Sequence, residues 1–222
     1  MLNLKEHYFT PESIREKTGA ILRDTAHLHR VNYPAFNLKK AACLVIDMQQ
    51  WFLDPSSHAF IPSARIIIPN IRKVAALFST YNRPVFLTRH INSEQDAGSM
   101  LRWWGDIIKK DDSLSRLDPE LDSIGGQVIF KTQYDAFYQT PLRTILEEQN
   151  ISQLVITGVM THLCCETTAR SAFVQGFDVF FPVDATADYN EHFHRATVMN
   201  LAHGFAVPVS TADLLNDKRN DE

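Results

Sequence analysis

The sequence predicts an α/β fold: a single domain of three α/β/α layers built on a six-stranded, mostly parallel sheet. Three observations predict it. Short apolar runs at 41–47, 84–90, 127–131, 153–157, 177–183 and 205–210 have strand rather than helix length. Most are separated by stretches with apolar residues every three or four positions, and strand alternating with helix implies parallel pairing. A chain of 222 residues is long enough for one sizeable core and short for two.

Residues 1–40 read as a polar N-terminal lead-in, 41–215 as the domain and 216–222 (NDKRNDE) as a frayed tail. In the lead-in, Thr10 is placed to cap a helix that has Pro11 at its first position and Ile14, Ala20, Ile21 and Leu22 as scattered apolar contacts. His27 and His29 read as surface or subunit-contact residues, and Asn32 to Asn37 as an extended crossing. Ala41 to Asp47 (AACLVID) is continuously apolar up to its last residue, which marks a strand buried on both faces. Met48 to Pro62 reads as a loop. From Ser63 onward Ala64, Ile67, Ile71, Val74 and Phe78 recur at helical spacing, the pattern of a helix packed on a sheet.

Pro84 to His90 (PVFLTRH) is the second strand. Residues 91–126 are irregular and long for a strand-to-helix connection, which suits a lid or a subunit contact. Trp103 and Trp104 lie in this insert, and adjacent rings cannot share a side, so one is expected in the core and the other on a wall. Gln127 to Lys131 (QVIFK) is the third strand, followed by a loop and then a helix started by Pro141, with Leu142, Ile145 and Leu146 facing inward. Gln153 to Thr157 is the fourth strand and runs into TGVMTHLCCETTAR, residues 157–170, where strand turns into helix. Phe177 to Val183, a turn over 184–190, a helix over 191–203 and a strand over 205–210 complete the domain.

Composition narrows the function. With 45% hydrophobic and 22% charged residues and a formal charge of −4, the chain has no electrostatic case for nucleic acid. No apolar run approaches the roughly 20 residues of a membrane span, and the first residues are too polar for a signal peptide. A cytoplasmic protein acting on a small molecule is expected. Three cysteines, two of them adjacent (Cys164 and Cys165), make a disulfide framework improbable; Cys43 reads as a small buried hydrophobe and Cys165 as a core residue.

Ligands of open parallel sheets bind beyond the carboxyl ends of the strands. Asp47 and Lys131 stand at two such ends and Cys164 in the first helical turn after a third. Taken singly, Asp47 also fits a turn or cap, Lys131 an exposed lysine, and His90 either a crevice wall or a loop contact. Together, a carboxylate, an ammonium and a thiol form a nucleophilic device in which the carboxylate takes the thiol proton and the lysine offsets negative charge. The helix N-terminus and Lys131 are both expected to favour thiolate, and backbone NH groups of the turn to form an oxyanion hole. Phe52, His90, Trp103, Trp104, Tyr134, Phe137 and Thr161 are candidate substrate-binding residues.

The strand ending in IDMQ at Asp47, the lysine of FKTQYDAF and the segment GVMTHLCCETTAR together resemble the isochorismatase-like cysteine hydrolases, a family that includes nicotinamidases and N-carbamoylsarcosine amidases. The resemblance runs from about Ala41 to Leu215. It implies a Rossmann-like isochorismatase fold, Asp47 as general base, Lys131 as its partner, Cys164 as nucleophile, a cis bond between Val159 and Met160, and an oxyanion hole from the NH groups of Met160 and Cys164. It also implies a homodimer or homotetramer. Nicotinamidase-like members carry an Asp-x-His metal segment after the second strand, where this chain reads TRHINSEQD, so the expectation is no metal, no cofactor and a substrate other than nicotinamide. His162 with Cys164, and His192 with His194, also lack zinc-site spacing. Isochorismatases cleave a vinyl ether without a thiol, and the WWG loop and the segment KTQYDAFYQTPL resemble that branch. Cys164 tips the expectation toward C–N bond hydrolysis of a small amide, ureido or carbamoyl compound; ether cleavage by Asp47 and Lys131, or a non-enzymatic interaction module on the same fold, are the alternatives.

Overall fold

The structure is a computed structural model and describes residues 4–28 and 32–217. His29 and the last five residues of the tail lie outside the described residues. Among the described residues seven strands form one sheet: β1 (Ala41–Ile46), β2 (Val85–His90), β3 (Gln127–Lys131), β4 (Gln153–Val159), β5 (Asp178–Pro182), β6 (Thr186–Ala187) and β7 (Val207–Val209). Their order is β3-β2-β1-β4-β5-β7, with β6 alongside the end of β4, and every pairing between them is parallel. The order reverses between β1 and β4, and a crevice opens at such a switch point.

Among the described residues eight α-helices complete the layers: α1 (Ile14–Thr25), α2 (Gln50–Leu53), α3 (Ala64–Thr80), α4 (Ser99–Trp104), α5 (Leu142–Glu148), α6 (Glu166–Val174), α7 (Glu191–Gly204) and α8 (Thr211–Leu215). Alternation along β1 divides the core. Cys43 and Val45 face a layer with Ile67, Ile71, Val74 and Phe78 of α3. Ala42, Leu44 and Ile46 face the other side, with Leu142 and Leu146 of α5, Ala169 and Ala172 of α6, and Val198 and Leu201 of α7. A strand apolar at every position is what two covered faces require.

Differences from the sequence reading sit at short elements. The six expected strands are present, and the added β6 is a two-residue piece inside the segment read as a turn. The loop after β1 contains the single turn α2, whose Trp51, Phe52 and Leu53 are buried. The insert at 91–126 holds α4 and two 3-10 turns. Helix α1 begins at Ile14 because Thr10 and Ser13 bond each other reciprocally, Ser13 N–H donating to Thr10 Oγ1 and Thr10 N–H to Ser13 Oγ. Tyr8, Phe9 and Phe36 of the lead-in are buried in the same core as α3. Among the described residues no helix is long and apolar enough to cross a membrane.

Candidate active site

Strand β1 delivers Asp47 into the left-handed region (φ 48°), a conformation aspartate tolerates better than most residues. Thr88 of β2 fixes it there, accepting the Asp47 N–H at 3.0 Å and donating its hydroxyl to Oδ1 at 2.6 Å. Gly158 of β4 passes beside this turn with φ 106°, and a Cβ there would lie 2.1 Å from the Ile46 carbonyl oxygen. Only glycine lets β4 lie so close to the residue before Asp47.

Lys131 closes β3, an edge strand whose alternation turns Val128 and Phe130 outward and Ile129 and Lys131 inward. Its Nζ lies 2.7 Å from Asp47 Oδ2, with both side chains fully buried. The ammonium also donates to Gln133 O at 2.8 Å, and has His90 Nδ1 at 3.3 Å, Tyr134 O at 3.3 Å and Cys164 Sγ at 3.5 Å. Burial alone would lower the lysine pKa, but the charge of Asp47 and the sulfur of Cys164 outweigh it and the net shift is upward.

Cys164 follows β4 in a turn wound as π-helix, Thr161–Cys165, that continues into α6. The bond between Val159 and Met160 is cis. Burial pushes the Cys164 thiol up, Lys131 pulls it down, and the negative charge of Asp47 raises it further. The net shift is upward. This corrects the expectation of a thiol already biased toward thiolate: the helix end and the lysine are present, but a fully buried sulfur facing a carboxylate holds its proton. Cys43 and Cys165 are buried and free, with Cys165 Sγ 3.9 Å from Thr157 O.

His90 is neutral in this setting, burial and then Lys131 lowering its pKa to about 4. Its tautomer follows from Asn92, whose amide donates to Asp96 Oδ1 (3.0 Å) and Thr132 O (2.9 Å) and so turns Oδ1 toward His90 Nε2 at 2.8 Å. Nε2 therefore carries the hydrogen and Nδ1 offers its lone pair to Lys131. Asp47, His90 and Cys164 form the one group of three metal-ligand side chains among the described residues. The ammonium of Lys131 stands among their donor atoms, where a metal ion would have to sit.

The cleft above Cys164 holds about 590 Å³ of empty space, part of it open solvent, and is lined by Trp51, Phe52, His58, Ala59, His90, Asn92, Met100, Trp104, Asp106, Ile107, Ile108, Tyr134, Met160, Leu163 and Tyr189. Trp104 Nε1 donates to Tyr134 Oη at 2.7 Å, which ties α4 to the loop after β3. Of the substrate-binding candidates, Phe52, His90, Trp104 and Tyr134 meet here, with Met160 of the expected oxyanion pair. The other three do not. Trp103 is 79% exposed, neither core nor wall; Phe137 stacks on Phe177 in the core; Thr161 is buried behind the turn, its hydroxyl unpartnered. Sequence reasoning missed His58, Asp106 and Tyr189, which carry no motif. It also gave no role to Gln49 of IDMQ, whose amide bonds His90 N, His90 O and Ser115 O and so clamps β2 to the insert.

A parallel sheet that gathers a carboxylate, an ammonium and a thiol at the ends of three strands is the scaffold of a hydrolase. The isochorismatase-domain family model matches residues 41–213, and the chain belongs to the isochorismatase-like hydrolase family. Nicotinamidase 3 of Arabidopsis thaliana is 42% identical over 178 residues, covering 77% of this chain and 84% of that one. Enterobactin synthase component B of Escherichia coli K12 is 31% identical over 187 residues, and the match covers 82% of this chain and 64% of its own length. Among solved structures, a cysteine hydrolase from Pseudomonas syringae pv. phaseolicola 1448A has the same fold, with a TM-score of 0.79 and 23% identity over 84% of this chain and 94% of that one.

Proposed function

We propose that this hydrolase cleaves the C–N bond of a small, flat, neutral amide through a thioester on Cys164. The observation that carries the reading is the charge of the cleft. Among the described residues no lysine or arginine lines it, and the one carboxylate there is Asp106. Isochorismate carries two carboxylates, and burying them without cationic partners costs several kcal/mol each. A neutral aromatic amide meets no such cost against Trp51, Phe52, Trp104, Tyr134 and Tyr189. Nicotinamide, set aside in the sequence reading for want of an Asp-x-His segment, becomes the first substrate to test, because a relative at 42% identity is a nicotinamidase.

In the proposed mechanism Asp47 removes the Sγ proton as Sγ attacks the carbonyl carbon. Lys131, 2.7 Å from the carboxylate and 3.5 Å from the sulfur, balances the charge in both states. Backbone NH groups at Met160 and Cys164 receive the oxyanion. The protonated Asp47 then gives its proton to the departing amine, and ammonia leaves from a primary amide. Water, deprotonated by Asp47, attacks the thioester and releases the carboxylic acid and the thiol. A thiol that stays protonated at rest fits this scheme, since its base lies within 4.8 Å and ionisation accompanies attack.

The test is ammonia release from nicotinamide and related aromatic amides, with intact-protein mass after brief mixing, for the native chain and Cys164→Ala. Turnover and a transient acyl adduct in the native chain, both lost in the variant, support the reading. Isochorismate turnover that survives in Cys164→Ala, without amide turnover in the native chain, overturns it.

A further inference from the structure

The turn that presents Cys164 has no cap of its own. Met160 stands at its N-cap position and no side-chain bond is made there. The cap comes from a distant segment. His162 N–H donates to Asp188 Oδ2 at 2.7 Å, and the His162 ring places Nδ1 2.8 Å from both oxygens of the same carboxylate. Asp188 is fully buried and also accepts the Tyr189 N–H at 2.7 Å on Oδ1. His162 is the one side chain bonded to this carboxylate among the described residues.

The short strand β6 explains how Asp188 gets there. Gly158 pairs with Thr186 and Val159 with Ala187, so the chain leaves β6 beside the point where β4 becomes the nucleophile turn. The next two residues serve the site on both sides: Asp188 bonds the turn from behind and Tyr189 lines the cleft. Asp188 is itself braced. Its N–H donates to Tyr8 Oη at 3.0 Å, which leaves the phenol hydrogen for His194 Nδ1 at 2.6 Å. That acceptor is intact because burial lowers the His194 pKa to about 4 and keeps the imidazole neutral. Tyr8 comes from the lead-in and His194 from α7.

We infer that Asp188 is a positioning residue for the nucleophile, holding the Thr161–Cys165 turn in the orientation that sets Cys164 against Asp47 and Lys131, and that Tyr8 of the lead-in braces it. Its role in turnover rests on the amide-hydrolase reading; its effect on Cys164 does not. The experiment compares the native chain with Asp188→Asn, Asp188→Ala and Tyr8→Phe. The readouts are kcat and KM on nicotinamide, thermal midpoint, and the rate of Cys164 alkylation by iodoacetamide followed by peptide mass.

Asp188→Ala is expected to lose 10- to 100-fold in kcat with KM within threefold, and to change the alkylation rate at least fivefold. Asp188→Asn keeps an oxygen for the His162 N–H and recovers to within about threefold of native on both readouts. Tyr8→Phe shifts both in the direction of Asp188→Ala by a smaller factor. A kcat within threefold of native in Asp188→Ala, or an Asp188→Asn as impaired as the alanine variant, overturns the inference. If Asp188→Ala does not fold, Tyr8→Phe decides it: alkylation at the native rate in that variant overturns the inference. If the native chain turns over no amide, the amide-hydrolase reading fails, and the alkylation series still decides the positioning role.

Discussion

Asp47→Asn gives the sharpest test of the electrostatics, because the replacement keeps the shape and removes one charge of a fully buried pair. In the native chain Lys131 and Asp47 are 2.7 Å apart with no exposure on either side chain. The asparagine leaves an ammonium in the sheet with only neutral partners at full charge, the carbonyls of Gln133 and Tyr134 and the ring of His90. Breaking a buried pair by removing one partner costs ~3–5 kcal/mol. The surface pair Arg143–Glu147 has nearly the same separation, 2.8 Å, with both side chains more than half exposed, and removing it costs only about 0.3–0.5 kcal/mol. Burial, not distance, sets the difference.

The pH dependence carries a definite sign. Native Lys131 is shifted above its ordinary value of 10.5, so its contribution is fully present below that value and is lost only as pH rises through the folded pKa. Without the carboxylate, the burial that already opposes the charge dominates and the lysine shifts below 10.5. The folded variant then binds fewer protons than its unfolded chain, and its stability rises with pH between the lowered pKa and 10.5, by up to about 1.4 kcal/mol per unit. Urea unfolding at pH 7 and pH 9.5 measures this. The expected deficit is ~3–5 kcal/mol at pH 7 and smaller by at least about 1 kcal/mol at pH 9.5. A deficit below about 1 kcal/mol at pH 7, or one that does not change with pH, refutes the account of the pair.

Three further outcomes are expected. Trp104→Ala opens the wall and cuts its bond to Tyr134, raising KM for an aromatic amide about tenfold, whereas Trp103→Ala, at a position 79% exposed, leaves steady-state kinetics within twofold. Gly158→Ala sets a Cβ 2.1 Å from the Ile46 carbonyl at a positive φ and is expected to destabilise by more than ~3 kcal/mol, read by urea unfolding. Asp106→Lys at the cleft wall reverses its sign, so a carboxylate product such as nicotinate inhibits at least about fivefold more strongly at low salt, and the gain fades as salt is raised.

The parts of the site that a sequence states openly are those where a short continuous apolar run ends in a functional group. Asp47 and Lys131 were legible because AACLVID and QVIFK allow one reading as strands and a parallel sheet brings their ends together. What escaped depends on contacts across large sequence separations. Tyr8 meets His194 across 186 residues, and Asp188 reaches the turn that carries Cys164 only through the register of a two-residue strand that no periodicity can announce. The protonation of Cys164 was read with the wrong sign for a related reason. A helix terminus and a nearby lysine are visible in sequence, while the burial that outweighs them is a property of the packed fold. Trp103 shows the limit of local argument, since the rule that adjacent rings diverge does not say that either must be covered.

Lys131 sits on an edge strand of the sheet. Among the described residues strand β3 is paired only with β2, and its outer face shows Val128 and Phe130, the latter under Arg89 at 5.8 Å. Edge strands open locally at lower free energy than the strands between them. The chemistry of this fold therefore has a weaker hold on the chain than the fold itself: one partial opening at the margin withdraws the ammonium while β1, β4 and β5 stay paired. Amide hydrogens of β3 would exchange ahead of those of β1 and β4. In mild denaturant, catalysis would fade along that same early phase, leaving a folded molecule that has lost its site.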